Sequence, residues 1–256
     1  MEHLPEITIL CPVWNRPQFL PLFLMNVKSQ NYPHNKLKVL IDDDGDLPFI
    51  SDLSEVQRQL KPIQITYMRN RERRSIGVKR NRLIKKCETK IFAFMDSDDI
   101  YFGSYIYHSY MTMKKNKVAC VGTDKMLFAM SQRNFDVHYI DCGNQVRQIH
   151  EASIVATKRW FKGSSGFATR GTGEGKNLFD NGRPDVAITD INQVMVCLQH
   201  GGNTVEKLQF ANDDNKLNIE LDDNLKNLLR SILGMPIPEP KPEEEEEDVD
   251  VITESI

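Results

Sequence analysis

Within roughly its first hundred residues the chain passes four times from a short apolar run to a segment of helical spacing. Consecutive strands separated by helices need crossover connections, so this half is read as an α/β unit with a mostly parallel sheet. The first strand is "ITILCPV" (7–13), closed by "WNRP", where Asn15 and Pro17 signal a turn and a helix start. In "PQFLPLFLMNVKSQ" apolar residues recur at helical spacing, and Pro21 limits the helix to the residues after it. The second strand, "KLKVLID" (36–42), is closed by "DDGDLP". A helix over "SDLSEVQRQL", capped by Ser51 or Asp52, leads to a third strand, "IQITYM" (63–68). A helix over "SIGVKRNRLIKKC" leads to the fourth, "KIFAFM" (90–95).

Past residue 103 the alternation weakens. "GSYIYHSYMTMKKN" reads as a helix, whereas "KVACVG", "KMLFAM" and "FDVHYID" are strand-like pieces joined by turns, so a mixed or antiparallel second half is expected. "FKGSSGFATRGTGEGKN" (161–177) carries five glycines, the mark of a loop that needs unusual backbone angles or close approach to a ligand. "LNIELDDNLKNLLRSIL" (217–233) predicts a C-terminal helix, and the proline-rich, then acidic end predicts disorder.

The net charge of -3 conceals an asymmetry. From Glu239 onward nine acids and one lysine contribute -8, which leaves +5 on residues 1–238, a balance suited to an anionic ligand. The five cysteines are odd in number and lack CxxC pairing, which argues against a disulfide framework or a structural zinc site. No signal-like start or membrane-length apolar window is present, so a soluble, cytoplasmic protein without an integral membrane segment is expected.

Two of the four strands end in carboxylate clusters: Asp42, Asp43 and Asp44 after the second, and Asp96, Asp98 and Asp99 after the fourth. Strand C-termini in open parallel sheets face the crevice where such folds bind ligands. Two carboxylates about 4 Å apart repel by roughly 4 kcal/mol at an effective dielectric near 20. A divalent cation removes that cost, and carboxylates with water are what Mg2+ or Mn2+ prefers. Helix capping and strand termination are the simpler alternative for either cluster alone. Between the clusters, "RNRERRSIGVKRNR" (69–82) holds seven Arg or Lys without interleaved aromatics, which counts against single-stranded nucleic acid. Arg80 and Asn81, just after Gly77 at the helix start, are placed near a phosphate.

In order, "ITILCPVWNRPQFL", "VLIDDDGD", "SIGVKRNRLI" and "FAFMDSDDI" resemble the four successive motifs of family 2 glycosyltransferases with the GT-A fold, over about residues 7–103. The resemblance implies an α/β, Rossmann-like nucleotide-diphospho-sugar transferase fold spanning residues 1–212, with a nucleotide-binding half (1–103) and an acceptor-side half (104–212). A C-terminal helix (213–234) and a disordered acidic tail (235–256) would complete the chain. Carried over by residue, Pro12, Trp14, Asn15 and Arg16 match the segment that contacts the nucleotide. Asp43 matches the acid that hydrogen-bonds the base, with Asp44 one register away. Arg80, next to Asn81, matches the basic residue near the diphosphate. Asp96 is expected near ribose and metal and Asp98 on the metal, with Asp99 sharing either task.

For the general base, the family's Gly-Glu-Asp-like motif points to Glu174, although Gly175 stands where the motif's Asp would be. Asp180, Asp185 and Asp190 are rivals. His200, in "CLQHGGNT", is a candidate to complete the metal site. The implied reaction is metal-dependent (Mn2+ or Mg2+), inverting transfer from a nucleotide-diphosphate sugar, a UDP-sugar favoured, to a glycan, protein or lipid-linked acceptor hydroxyl, with no nucleic-acid partner. A nucleotidyltransferase and a non-catalytic nucleotide- or nucleic-acid-binding module are the alternatives. The first would show a glycine-rich loop after the first strand, which "CPVWNRPQ" lacks.

Overall fold

The run Ile7–Val13 forms β1, buried at every position, and becomes the axis of the parallel part of the structure. This is a computed structural model that describes residues 4–141, 149–169, 173–179, 185–203, 211 and 213–238. β1 pairs in parallel with β2 (Leu37–Asp43) on one side and β4 (Ile91–Phe94) on the other, and β3 (Gln64–Arg69) adds in parallel to β2. The connecting helices are α1 (Leu20–Lys28), α2 (Leu53–Leu60) and α3 (Ile76–Lys86). Asp52 caps α2 by accepting from the Glu55 N–H, and Ser75 caps α3 by accepting from the Val78 N–H. Helix α1 begins at Leu20, one residue before Pro21, because the first-turn N–H that proline lacks has no intrahelical partner.

The four expected strands and three helices are present, and the mixed second half is as read from the sequence. Strand β5 (Ile100–Tyr101) and helix α4 (Tyr105–Asn116) are followed by β6 (Cys120–Gly122), β7 (Lys125–Met130) and β8 (Asp136–Asp141). Then come β9 (Val155–Thr157), α5 (Lys158–Lys162), β10 (Val186–Ile188), β11 (Met195–Gln199), β12 (Lys216–Leu217) and α6 (Asp223–Leu233). The larger sheet has the order β10-β6-β9-β4-β1-β2-β3, and the smaller one β12-β8-β7-β11-β5. β9 runs antiparallel to both β4 and β6, so its first residues lie beside the C-terminal end of β4.

Alternation along β1 and β4 divides the apolar residues into two layers. Ile7, Ile9, Ile91 and Ala93 join one core, while Leu10, Phe92 and Phe94 pack with Leu83, Ile84, Trp160 and Phe167 in the other. Each such large side chain stabilises the fold by about 1.5–3 kcal/mol through burial. The C-terminal helix starts later than expected, at Asp223, because Lys216 and Leu217 pair with β8 and Asp222 supplies the cap. Residues 239–256, which hold the acidic segment, lie outside the described residues, as do Asp180 and Cys142. Among the described residues no helix is long and apolar enough to cross a membrane.

Candidate active site

The two aspartate clusters flank β1 rather than sitting on neighbouring strands, and they are built differently. In the first, every carboxylate is closed to solvent, at 0% exposure for Asp42, Asp43 and Asp44. Their charge is answered by the basic segment. Arg82 binds Asp42 through both Nε (2.5 Å) and Nη2 (2.7 Å), and Lys79 Nζ binds Asp44 at 2.7 Å and the Val13 carbonyl at 2.8 Å. Asp43 accepts from the N–H groups of Gly45 (2.9 Å) and Phe49 (2.8 Å) and from the Tyr67 hydroxyl (2.5 Å). Burial pushes the Asp42 carboxyl up despite Arg82. This cluster therefore needs no metal, and Asp43 and Asp44 face inward instead of presenting a carboxylate to a nucleotide.

The turn after β1 is fastened to the same loop. Asn15 has a positive φ of 49°, held by its amide donating to Asp46 Oδ2 (2.9 Å) and by Asp46 N–H donating to its Oδ1 (2.6 Å). Gly45 is required there, since a Cβ would stand 2.6 Å from the Asn15 nitrogen. Pro12 is a buried strand residue opposite Asp42. Trp14 is half-buried, with the Arg73 guanidinium 3.5 Å from its ring centroid.

At the end of β4 the second cluster keeps carboxylate surface open, 23% of the side chain for Asp96 and 19% for Asp98. Arg80, buried beneath, donates through Nη2 to Asp96 Oδ2 at 3.0 Å and through Nη1 to Glu174 Oε1 at 2.6 Å. Burial drives the pKa of Asp96 up and Arg80 opposes it; the same two causes act in the same order on Glu174. The Asp96 N–H donates to the Tyr101 hydroxyl (2.9 Å), which donates to the Ala152 carbonyl (3.0 Å).

Asp98 Oδ2 receives Arg16 Nε at 2.9 Å and His200 Nε2 at 3.2 Å. Burial raises its pKa, but the His200 hydrogen bond and the Arg16 charge prevail and hold it at about 2. Arg16 Nη2 also reaches the Gly202 carbonyl at 2.5 Å. His200 Nδ1 accepts from the Gly202 N–H at 3.1 Å, so in the neutral ring the proton resides on Nε2 and is donated to Asp98. In this arrangement His200 orients Asp98; to ligate a metal through Nε2 the ring must move its proton to Nδ1 and give up the Gly202 bond.

Four residues considered for the site have other tasks. Asp99 is buried, its Oδ1 accepting from the Leu198 N–H (3.0 Å), which fixes β11 and thereby His200 against the turn after β4. It does not cap α4, whose N-cap position is Ser104. Asn81 is not at the helix start but exchanges 2.9 Å hydrogen bonds with both backbone groups of Phe167. Gly77 makes the same loop possible, since a Cβ there would lie 1.8 Å from the Ala168 carbonyl oxygen. Asp190 is exposed, caps a short turn by accepting from Asn192, and lines a cavity of about 680 Å³ with Asp124, Lys125 and Tyr139, to which none of Asp96, Asp98 and Arg80 contributes. Asp185 accepts from the Trp160 indole N–H at 3.1 Å, at the start of β10. Lys79, Arg82, Tyr67 and Tyr101 are the residues sequence reasoning missed. Of these, Lys79 and Arg82 carried a signal, since both lie on the helix opened by the Ser75 cap, whose successive turns face β1 and β2.

Among the described residues no group of three or more His, Cys, Asp and Glu side chains is gathered as a ready cage for a metal ion. The donor chemistry still fits a hard divalent cation: two partly open carboxylates at a strand end, with Asp98 Oδ1 accepting no hydrogen bond from the described residues.

A mixed, largely parallel α/β sheet with an Asp-Ser-Asp-Asp turn after β4 matches the GT-A class of glycosyltransferase folds, and similarity to known proteins agrees. Residues 8–164 match glycosyl transferase family 2, and the chain belongs to that family. Uncharacterized glycosyltransferases of Rickettsia bellii and Rickettsia felis are 30% and 29% identical over 111 and 114 residues. Those stretches are 43% and 44% of this chain but only 15% and 18% of the relatives' length. Among solved structures, S. aureus TarS (residues 1–349) in complex with UDP-GlcNAc superposes with a TM-score of 0.60 at 12% identity, covering 89% of this chain and 65% of that one. Pyrobaculum calidifontis mannosyltransferase PcManGT in complex with GDP-Man and Mn2+ gives 0.55 at 18%, covering 77% and 57%. At these identities the structural likeness shows a shared fold.

Proposed function

We propose that this chain is a metal-dependent, inverting glycosyltransferase that moves a sugar from a nucleotide-diphosphate donor, a UDP-sugar favoured, to an acceptor hydroxyl on a glycan, protein or lipid-linked molecule. The observation that carries the reading is the contrast between the two clusters. Asp42 to Asp44 are sealed by protein partners, while Asp96 and Asp98 retain open carboxylate surface in the crevice. Asp98 and Asp96 would hold the cation, which when bound supplies positive charge opposite the departing diphosphate.

The chain's own residues do the rest. Arg80 holds Asp96 in place from below, and Arg16 brings a second positive charge to the rim at Asp98. Trp14 offers an aromatic surface for the base, and the sealed Asp43 shapes the loop beside it. A UDP-GlcNAc complex of one fold neighbour and a GDP-Man and Mn2+ complex of another support this donor class and cofactor. Thermal shift tests it: stabilisation by UDP or GDP only when Mn2+ is present agrees with the reading, and stabilisation by an RNA oligonucleotide alone contradicts it.

A further inference from the structure

Resting on the transfer reading above, we propose that Glu151, not a residue of the glycine-rich loop, is the group that takes the proton from the acceptor hydroxyl. The family's motif expects an acid directly after Glu174, and this chain has Gly175 there. The space is filled from another part of the sequence. A Cβ built on Gly175 would lie 2.5 Å from both Cγ and Oε1 of Glu151 and 2.8 Å from its Cδ, and these are its three nearest atoms. Glu151 Oε1 accepts the Gly175 N–H at 3.1 Å. The carboxylate missing from position 175 is thus supplied beside it by the Glu151 side chain, from another part of the sequence.

Topology explains why it arrives there. Glu151 opens the short turn Glu151–Ser153 that leads into β9. Because β9 is antiparallel to β4, with Val155 opposite Ala93, that turn sits at the crevice end of β4. Two further bonds hold it. The Phe94 N–H donates to the Ile154 carbonyl at 3.0 Å, and Tyr101 bridges the Ala152 carbonyl to the Asp96 N–H. Glu151 is half-buried, its negative charge acts on Arg80, Asp96 and Glu174, and Oε2 accepts no hydrogen bond from the described residues.

The alternatives are placed for other work. Glu174 is 8% exposed and its Oε1 is committed to Arg80 at 2.6 Å, so this carboxylate is more deeply buried than Glu151 and tied directly to a buried cation. Asp190 is a solvent-exposed cap on a separate cavity. Asp185 directly precedes β10, which is parallel to β6 and so, through β9, to β4, and it therefore lies at the end of the sheet opposite the crevice. Asp180 lies outside the described residues.

In the step, a lone pair of the acceptor oxygen forms the new bond to the anomeric carbon as that carbon's bond to the diphosphate oxygen breaks. The bonding pair leaves with the diphosphate, and the hydroxyl proton passes to Glu151. When no acceptor is supplied, water takes the acceptor's place and the same proton transfer yields slow donor hydrolysis.

The test reads nucleoside diphosphate release from UDP-GlcNAc, UDP-glucose and GDP-mannose with Mn2+, alongside Mn2+-dependent binding of UDP and GDP. Glu151→Gln keeps an oxygen for the Gly175 N–H and is expected to lower release by about a hundredfold or more with nucleotide binding unchanged. Glu151→Ala should do the same, and adding Gly175→Asp to it should recover at least about tenfold, because the atoms nearest a Cβ there all belong to Glu151 and Gly175 does not have a positive φ. Active wild-type protein with Glu151→Gln within about threefold of it overturns the assignment and leaves the transfer reading standing. Nucleotide binding lost in parallel with release makes Glu151 structural and also overturns it. Wild-type protein that neither binds UDP or GDP nor releases them from any donor overturns the transfer reading itself, and this assignment with it.

Discussion

His200 donates to Asp98 across 102 positions of sequence, and the Leu198–Asp99 bond two residues earlier fixes the strand that delivers it. The histidine is 5% exposed and packed on Phe19, with ring centroids 4.8 Å apart, so this packing and its bonds to Asp98 and Gly202 set its geometry. In the proposed function it is a partner that orients Asp98, the carboxylate that would hold the cation. His200→Ala should therefore weaken Mn2+ support of nucleotide binding by about 10- to 100-fold while leaving the fold intact. A manganese titration of UDP or GDP binding measures this, and an unchanged midpoint would remove His200 from the site.

Lys79 and Asp44 form a buried ion pair, with side-chain exposures of 4% and 0%. Removing one partner strands the other charge, so Lys79→Met should cost about 3–5 kcal/mol in chemical denaturation. The double variant Lys79→Met/Asp44→Asn removes both charges and should recover part of that loss. Equal destabilisation by the single and double variants would show that the lysine matters for its bond to Val13 rather than for charge.

Tyr67 donates to the sealed Asp43, and burial, aided by that hydrogen bond, raises its pKa to about 12 from 10.0. Above pH 10.0 the unfolded chain releases this proton while the folded one keeps it, so the unfolded state binds fewer protons and stability falls as pH rises toward about 12. Tyr67→Phe should flatten that part of the alkaline decline. At neutral pH the same variant should cost about 1.5–3 kcal/mol for a hydrogen bond to a charged group. Denaturation midpoints from about pH 8 to about 12 give both numbers.

Much of this arrangement is legible in the sequence, and the part that is not has a physical cause. The first four strands and their helices stand out because β-branched runs and helical periodicity are local signals. The same holds for the aspartates at two strand ends. Which cation answers each aspartate is set by the facing of α3 on the sheet, so Arg82–Asp42, Lys79–Asp44 and Arg80–Asp96 emerge only in three dimensions. The sequence pattern suggests a phosphate contact for Arg80, whereas the side chain is a buried strut between Asp96 and Glu174. Strand β9, three residues long, leaves no periodic trace, and without it nothing in the sequence connects Glu151 to Gly175.

The central claim is that Asp98 at the end of β4 supports metal-dependent sugar transfer. The most direct measurement is nucleoside diphosphate release from a panel of UDP- and GDP-sugars by wild-type and Asp98→Asn protein, each with Mn2+ and with a chelator. The account predicts activity in the wild type that the chelator abolishes, and a loss of about a hundredfold or more in Asp98→Asn with the thermal midpoint preserved. Asp98→Asn protein that remains as active as wild type, with the chelator making no difference, would contradict it.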